Sequence, residues 1–557
     1  MLSHMLLPLV LLAVGTRPNI VFILTDDQDA HTTGFNASGM QYMPATTRLL
    51  HDQGALFANA VLATPLCAPS RAVLLTGRYP HNTEVFLNSP LHGAFAYWEK
   101  NENSSVAVAL QRAGYITFMT GKYMNGYGNR PTHVPLGWSD WHGFTDVVYF
   151  APTVNENGNV VTYSNTTYST DLIKDKALAF LKNYSDVYLR HARLPATAAT
   201  AATAVDERDA LAAAMESTSP FFMYLAPKAP HLPSQPAPRH AALFTNISGV
   251  PRVPSFNEPS NATQQMHASW IGQLPILSPA EVADEDSLFV NRIRCLQAVD
   301  ELVEAVVGQL QLLGVLENTY VVYMGDNGFH QGHHRMPHGK QTAFEEDIRV
   351  PLLMRGPGVA KGVVVTPLVG NYDLAPTFLA IAQAAPLVPM DGKSFLPLAD
   401  AGAVGAAASS SAAAASSWNR SFTLQEGFYG CYPGVTGGVS CEVPTAPSRL
   451  HDPFAAAHST ANSAAAGTPS SREANGPMTC TLENDVNYKA HGIGSPVTTD
   501  DAAACCTLCA ANAACVLFTW NSRLARGKCV LKSAVGNSNT SPGTVSGRFV
   551  RAEHGVA

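Results

Sequence analysis

The sequence predicts an α/β fold with a mostly parallel central sheet flanked by helices. Continuous apolar runs recur at Asn19–Leu24 (NIVFIL), Phe221–Leu225 (FFMYL) and Thr319–Met324 (TYVVYM), as expected of strands buried on both faces. Segments with helical spacing lie between these runs, and that alternation is what builds parallel sheets.

The elements follow in chain order. Thr46–Gln53 reads as a helix and Ala55–Ala63 as a strand. Ser70–Leu75 opens a second helix, Ser104–Ala113 is a third, and Ile116–Gly121 is strand-like. Asp286–Leu313 reads as a long amphipathic helix. Its Leu288, Ile293, Leu296, Val299, Val303 and Val306 fall near helical spacing, and Gly314 supplies a stop. Pro351–Arg355 is the last strand. These elements predict a large domain over residues 17–427. Two stretches interrupt it. The Ala/Thr-rich Pro195–Met215 reads as an inserted helix or a surface loop, and Ala399–Ser417 as a flexible linker.

The 557 residues, 46% hydrophobic, suffice for that domain and a smaller one. With 35 basic against 42 acidic residues, a net charge of −7 and no long basic run, nucleic acid is not an expected partner. The ten cysteines are unevenly spread. Cys67 and Cys295 stand alone, Cys431 and Cys441 are neighbours, and six fall between Cys480 and Cys529. That cluster predicts a disulfide-stapled module and an oxidising compartment. Residues 1–16 read as a signal peptide, because the apolar run Met5–Val14 is too short to span a bilayer. Glycosylation sequons at Asn36, Asn103, Asn165, Asn183, Asn246, Asn261, Asn419 and Asn539 agree with the secretory pathway, outside the cell or in a lysosome-like lumen. No later run has the length of a transmembrane segment.

Reactive residues follow the strand-like runs directly. Asp26 and Asp27 follow the first, Asp326 and Asn327 follow Thr319–Met324, and Cys67 comes soon after Ala55–Ala63. In open α/β sheets, ligands bind beyond the carboxyl ends of the strands, so these segments can converge. Asp26, Asp27, Asp326 and Asn327 offer only oxygen ligands, which suits a hard cation such as Ca²⁺ or Mg²⁺. Taken singly, an Asp-Asp pair is more often a turn or cap, and a lone cysteine is usually a buried thiol.

The stretch Cys67-Ala68-Pro69-Ser70-Arg71, continuing to Thr76-Gly77-Arg78, resembles the signature of the type I sulfatases. Gly121-Lys122-Tyr123, Ala229-Pro230-His231, Asp326-Asn327-Gly328 and Gly339-Lys340 follow in family order. The resemblance implies an alkaline-phosphatase-like fold. It also implies conversion of Cys67 to formylglycine (3-oxoalanine) by a formylglycine-generating enzyme, and one Ca²⁺ bound by Asp26, Asp27, Asp326, Asn327 and residue 67. In that family one hydroxyl of the hydrated aldehyde attacks sulfur, and the other then expels sulfate. The implied catalytic set is Cys67, Arg71, Lys122, His231 and Lys340, with Lys122, His231, His330 and Lys340 on the substrate. Either His231 or Lys340 could protonate the leaving oxygen. The spacing of His330, His333, His334 and His338 would permit zinc. The resemblance instead places them on an active-site loop, with His330 beside the pocket.

Gly121–Asn125, His133–Trp138 and Phe344–Pro351 resemble the glucosamine-6-sulfatase group, which includes extracellular endosulfatases and algal arylsulfatases. Many arylsulfatases carry a histidine two residues after the lysine, where Met124 stands here. The implied substrate is a sulfated carbohydrate such as N-acetylglucosamine 6-sulfate. The alternatives are an aryl sulfate, or a non-catalytic carbohydrate-binding role on the same core. Related phosphatases normally use Ser or Thr with two zincs, which Cys67 and the oxygen-rich set disfavour.

The family's C-terminal subdomain is hard to follow past Glu426, and residues 428–477 read as a divergent, low-complexity linker. Residues 478–552, with Cys480, Cys505, Cys506, Cys509, Cys515 and Cys529, resemble a PAN/Apple domain. The resemblance implies a short helix over Cys505–Cys509 stapled to a small sheet. Six cysteines allow 15 pairings, and none is selected. The implied role is to bind a glycan or protein, with simple stabilisation as the alternative.

Overall fold

Seven buried residues, Asn19–Thr25, form strand β1 at the middle of a ten-stranded sheet. The computed structural model describes residues 17–30, 34–90, 93–186, 219–267, 269–400, 418, 420–421 and 423–426, together with the backbone of five strands between 480 and 549. The chain divides into two units, Met1–Pro447 and Ser448–Ala557.

The other strands of the large sheet are β2 (Ala55–Phe57), β3 (Ile116–Gly121), β4 (Asp140–Phe144), β5 (Thr153–Glu156), β6 (Asn159–Thr162), β7 (Phe221–Ala226), β8 (Thr319–Gly325), β9 (Leu352–Arg355) and β10 (Val363–Val365). Their order is β10-β2-β9-β8-β1-β7-β3-β4-β5-β6. The central run from β8 to β4 is wholly parallel, with Ile20 opposite Phe222 on one side and Tyr320 on the other. β9 is antiparallel to both of its neighbours, and the β4-β5-β6 edge is antiparallel.

Strand alternation divides β1 between two cores. Ile20, Phe22 and Leu24 pack on one face, with Ala68 and Leu74 of α1 (Cys67–Thr76), Leu110 of α2 (Val106–Arg112) and Phe378 of α5 (Leu374–Ala382). Val21 and Ile23 pack on the other, with Ile173 of α3 (Ser169–Tyr184) and Leu296, Val299 and Val303 of α4 (Pro279–Leu313). Both faces are covered, so β1, β7 and β8 carry no polar alternation.

Boundaries differ from the sequence expectation where a local signal outweighs periodicity. The long helix α4 begins at Pro279. Ser278 caps it, its hydroxyl accepting from Glu281 N–H while Glu281 accepts from Ser278 N–H. α1 begins at Cys67 instead of Ser70. The single strand expected over Ala55–Ala63 is two: β2, and Ala60–Val61, which pairs with Val369–Gly370. The helix expected over Thr46–Gln53 is a short turn, Pro44–Thr46, running into a wide helical turn, Thr47–His51.

In the second unit, strands β11 (Cys480–Tyr488), β12 (Val497–Thr498), β13 (Leu517–Asn521), β14 (Lys528–Lys532) and β15 (Ser538–Phe549) pair antiparallel in the order β11-β15-β13-β14-β12. The signal peptide, Pro195–Met215, Cys431, Cys441, the 428–477 linker and the Cys505–Cys509 helix lie outside the described residues, as does almost all of Ala399–Ser417. Among the described residues, no helix is long and apolar enough to cross a membrane.

Candidate active site

The parallel strands β1, β3, β7 and β8 end at one edge of the sheet, and each delivers polar residues there. Asp26 and Asp27 leave β1, Lys122 leaves β3, His231 follows β7, and Asp326 and Asn327 leave β8. Successive residues of a strand point to opposite faces. Asp27 escapes that rule with φ of 63°, a left-handed conformation that Asp tolerates better than most residues. Both carboxylates therefore reach one cluster. One ligand atom each from Asp26, Asp27, Cys67 and His231 lie within 4.8 Å of one another. Gly121 (φ 108°) lets β3 approach β7 closely: a Cβ there would lie 2.2 Å from the Ala226 carbonyl oxygen, which instead accepts from Lys122 N–H at 2.9 Å.

Cys67 is the first residue of α1 and is fully buried. Its thiol donates to Asp26 Oδ1 at 3.4 Å, and Lys340 Nζ donates to Sγ at 2.8 Å. Burial pushes the thiol up to about 11, outweighing the pull of Lys122 and Lys340. The helix terminus and the nearby lysines favour negative charge at this position.

Each carboxylate has its own cation or donor. Lys122 Nζ donates to Asp26 Oδ2 at 2.6 Å. Lys340 Nζ donates to Asp27 Oδ1, which also accepts from Asn327 Nδ2 at 2.7 Å. Asp326 accepts from Asp27 N–H at 3.0 Å and from Arg71 Nε at 2.9 Å. Arg71 is wholly buried and also donates to the Lys122 carbonyl at 2.7 Å, so it braces two functional segments. Burial would raise Asp26, yet Lys122, His231, Arg71 and Lys340 hold it well below the ordinary carboxylate range. Burial and the neighbouring Asp26 push Asp326 up to about 6, against the pull of Arg71. His231 Nδ1 lies 2.8 Å from the Leu232 carbonyl, which can only accept, so Nδ1 carries the proton. Nε2 is then the free ring nitrogen, 3.6 Å from Asp27 Oδ2.

The donors fit a hard cation. Asp26 and Asp27 present oxygen beside Cys67 and His231, Asn327 Oδ1 faces the same Lys340 ammonium as Asp27, and Asp326 is joined to them through Asp27 N–H. Lys340 Nζ touches Asp27 Oδ1, Asn327 Oδ1 (3.4 Å) and Cys67 Sγ.

Lys340 reaches the cluster because its loop closes on itself. His330 N–H bonds Gly339 C=O at 2.9 Å, and Gly339 N–H returns to His330 C=O at 3.0 Å. The four histidines of the loop have separate partners. Buried His330 bonds Asp347 at 2.9 Å, and His333 Nδ1 accepts from Gln331 N–H. His334 meets His267 at 3.2 Å and stacks on Phe344, while His338 bonds Glu285 at 2.9 Å. Asn36, Asn103, Asn165, Asn183, Asn246 and Asn261 are exposed; Asn419 and the Asn539 side chain lie outside the described residues.

Sequence reasoning missed Arg292. This buried residue of α4 donates to the Asp27 carbonyl and to Asp29 Oδ1 at 3.0 Å. The signal was a charged residue on the apolar face, one position before Ile293 and four before Leu296. It also missed Tyr149, whose hydroxyl donates to the His231 carbonyl at 2.6 Å.

A sulfatase family profile matches residues 18–384, and a PAN domain profile matches residues 486–532. The chain is similar to the Drosophila melanogaster protein named extracellular sulfatase SULF-1 homolog, with 36% identity over 69% of this chain and 31% of that protein. It is similar to Homo sapiens N-acetylglucosamine-6-sulfatase, with 37% identity over 69% of this chain and 65% of that protein. The matched region therefore spans from about a third to just under two thirds of these relatives. The solved structure of Bacteroides fragilis yidJ superposes with a TM-score of 0.50 at 19% identity, covering 68% of this chain and 77% of that one, a likeness of fold. With its profile match running from β1 to the end of α5, the chain belongs to the sulfatase family.

Proposed function

We propose that this chain hydrolyses sulfate esters through a formylglycine formed from Cys67, with one bound Ca²⁺, on sulfated sugars such as N-acetylglucosamine 6-sulfate units. One observation carries the reading: Cys67 opens α1 inside a ring of carboxylates and cations, touched by Asp26 and Lys340. The buried thiol stays protonated at neutral pH, so the unmodified sulfur is a poor nucleophile. That favours action after conversion. Formylglycine, when hydrated, supplies two hydroxyls on one carbon, one to accept the sulfuryl group and one to release it. Calcium, when bound by Asp26, Asp27, Asp326 and Asn327, supplies polarisation of the sulfate oxygens.

The protein's own groups then divide the work. Lys340 donates a hydrogen bond to the reacting atom at position 67 and neutralises Asp27. Lys122 holds Asp26 in place, and Arg71 fixes Asp326 and the Lys122 backbone. His231 is the proton donor to the leaving oxygen: its Nδ1 proton is tied to Leu232, leaving Nε2 to gain and lose one. At 28% exposure its side chain can also follow the departing alcohol, whereas Lys340 is committed to Asp27 and Cys67.

The names of the relatives, the exposed sequons and the N-terminal apolar run support a secretory-pathway location. Maturation there requires a formylglycine-generating enzyme as partner. The PAN domain is read as holding the enzyme near a glycan or protein.

Mass spectrometry of the tryptic peptide Leu49–Arg71 from secreted protein tests the mechanism. An aldehyde at position 67 is expected, and an unmodified cysteine in active protein overturns the reading. Turnover of 6-sulfated N-acetylglucosamine is expected to exceed that of 4-nitrophenyl sulfate. Turnover of the aryl ester alone makes the chain an arylsulfatase.

A further inference from the structure

Lys228 is a buried cation for which the roles above have no use. It is 7% exposed and stands two residues after β7. Its Nζ sits 5.4 Å from the centre of the Tyr149 ring. The segment that carries it is held from three directions. His231 N–H bonds the Lys228 carbonyl at 2.9 Å, and Asp26 N–H bonds the Ala229 carbonyl at 3.2 Å. Tyr149 bonds the His231 carbonyl, so one tyrosine supplies both the ring under Lys228 and an anchor for His231.

No carboxylate among the described residues comes within ion-pair distance of Lys228 Nζ, because the nearby acids are taken. Lys122 pairs with Asp26 and Lys340 with Asp27. Its segment borders the inner cluster, since Asp26 N–H bonds the carbonyl of the next residue, Ala229, and Lys228 feels the charge of Asp26, Asp27 and Cys67. Burial lowers its pKa, and an aromatic face compensates a buried ammonium only in part. The side chain is not fully enclosed, since 7% of the residue's surface stays exposed.

We propose that Lys228 binds a second anionic group of the substrate, a sulfate or carboxylate borne by the sugar beside the reacting sulfate ester. The contacts around Cys67 are already filled by Lys340, Asp26 and Asp27, so the reacting group has its own partners. A cation one step outside that cluster meets the next substituent of the sugar ring. It thereby selects polyanionic sugars over singly charged ones.

The inference rests on the sulfatase reading, and the experiment separates the two. Wild type, Lys228→Met and Lys228→Arg are assayed as full-length protein on N-acetylglucosamine 6-sulfate and on glucosamine sulfated at both N and O6. Lys228→Met is expected to lose about tenfold in kcat/KM on the disulfated sugar, through KM, and less than about twofold on the singly sulfated one. Lys228→Arg should recover most of the loss. Equal losses on both sugars, or no loss on either, overturn the proposal. If wild type turns over neither sugar, the reading of a sugar sulfate as substrate fails, and thermal-shift titration then decides the role of Lys228. The disulfated sugar should raise the wild-type Tm more than the singly sulfated one, with the difference abolished in Lys228→Met. Equal shifts in wild type overturn the proposal.

Discussion

Lys340 Nζ lies 2.8 Å from Cys67 Sγ, although 273 positions separate the two residues. The backbone pairing of His330 with Gly339 folds the intervening loop back onto the end of β8 and creates this contact. Burial opposes the charge on Lys340, but Asp27, Cys67 and Asp26 keep it protonated well beyond neutral pH. Lys340→Met removes a fixed positive charge from the reacting atom, so kcat should fall by roughly 10²–10³-fold. The circular dichroism spectrum should not change, since Lys340 is on a loop. Activity within threefold of wild type would exclude this role.

Calcium removal should act on stability as well as turnover. Asp26, Asp27 and Asp326 crowd three carboxylates into a buried site, and Asp326 is already pushed up to about 6. A dication bound only by the native state adds RT ln(1 + [L]/Kd), about 2.7 kcal/mol at a hundredfold excess over Kd. Chelation should lower Tm and abolish turnover, and Ca²⁺ should restore both where Zn²⁺ does not. Asp27→Asn should make Tm independent of added Ca²⁺. A Ca²⁺ shift that survives in this variant would place the ion elsewhere.

The predicted strands at Asn19, Ile116, Phe221 and Thr319 match β1, β3, β7 and β8 almost to the residue, and in β1, β7 and β8 full burial writes itself as a nearly unbroken apolar run. Asp26, Lys122 and Asp326 follow those runs at once and are easy to single out, whereas Cys67, His231 and Lys340 stand out only through the motifs that hold them. Other elements left weaker marks. β6 is wholly exposed and has no apolar pattern to read. β2 and β10 have three residues each. α4 starts earlier than its periodicity suggests because the Ser278 cap outweighs the polar stretch that follows. Lys228 and Tyr149 meet only through the tertiary fold, and nothing in their local sequence announces the contact.

His338 offers a pH test away from the cation site. Its Nδ1 lies 2.9 Å from Glu285 Oε1, which also accepts His338 N–H at 2.9 Å. The bond to Glu285 raises the histidine pKa, and burial opposes it. A folded pKa above the unfolded value of about 6.5 stabilises the protein fully below that value. The contribution is lost as pH rises through the folded value. His338 is 41% exposed, so screening limits it to about 1 kcal/mol or less. Between pH 6 and pH 8.5 the wild-type Tm should fall more than that of His338→Gln. Parallel decreases would remove the pair from the stability of α4.

Arg292 couples the packing of α4 to the site. Its guanidinium donates to Asp29 Oδ1 and to the carbonyl of Asp27, and it bonds Gln331 on the loop that leads to Lys340. Asp29 is fully buried, so truncating Arg292 strips a charge partner from a carboxylate that water cannot reach. Breaking such a pair costs roughly 3–5 kcal/mol, and lysine cannot reproduce a fork that spans three acceptors. Arg292→Met should therefore lower Tm sharply, and Arg292→Lys should recover little. Adding Asp29→Asn to Arg292→Met should restore part of the loss, because a buried charge that has lost its ion pair with Arg292 is then removed. The same double variant should still bind Ca²⁺ more weakly than wild type, since the carbonyl that orients Asp27 has lost its donor. Calcium titration by calorimetry separates these effects: restored stability with unchanged affinity would confine Arg292 to the fold.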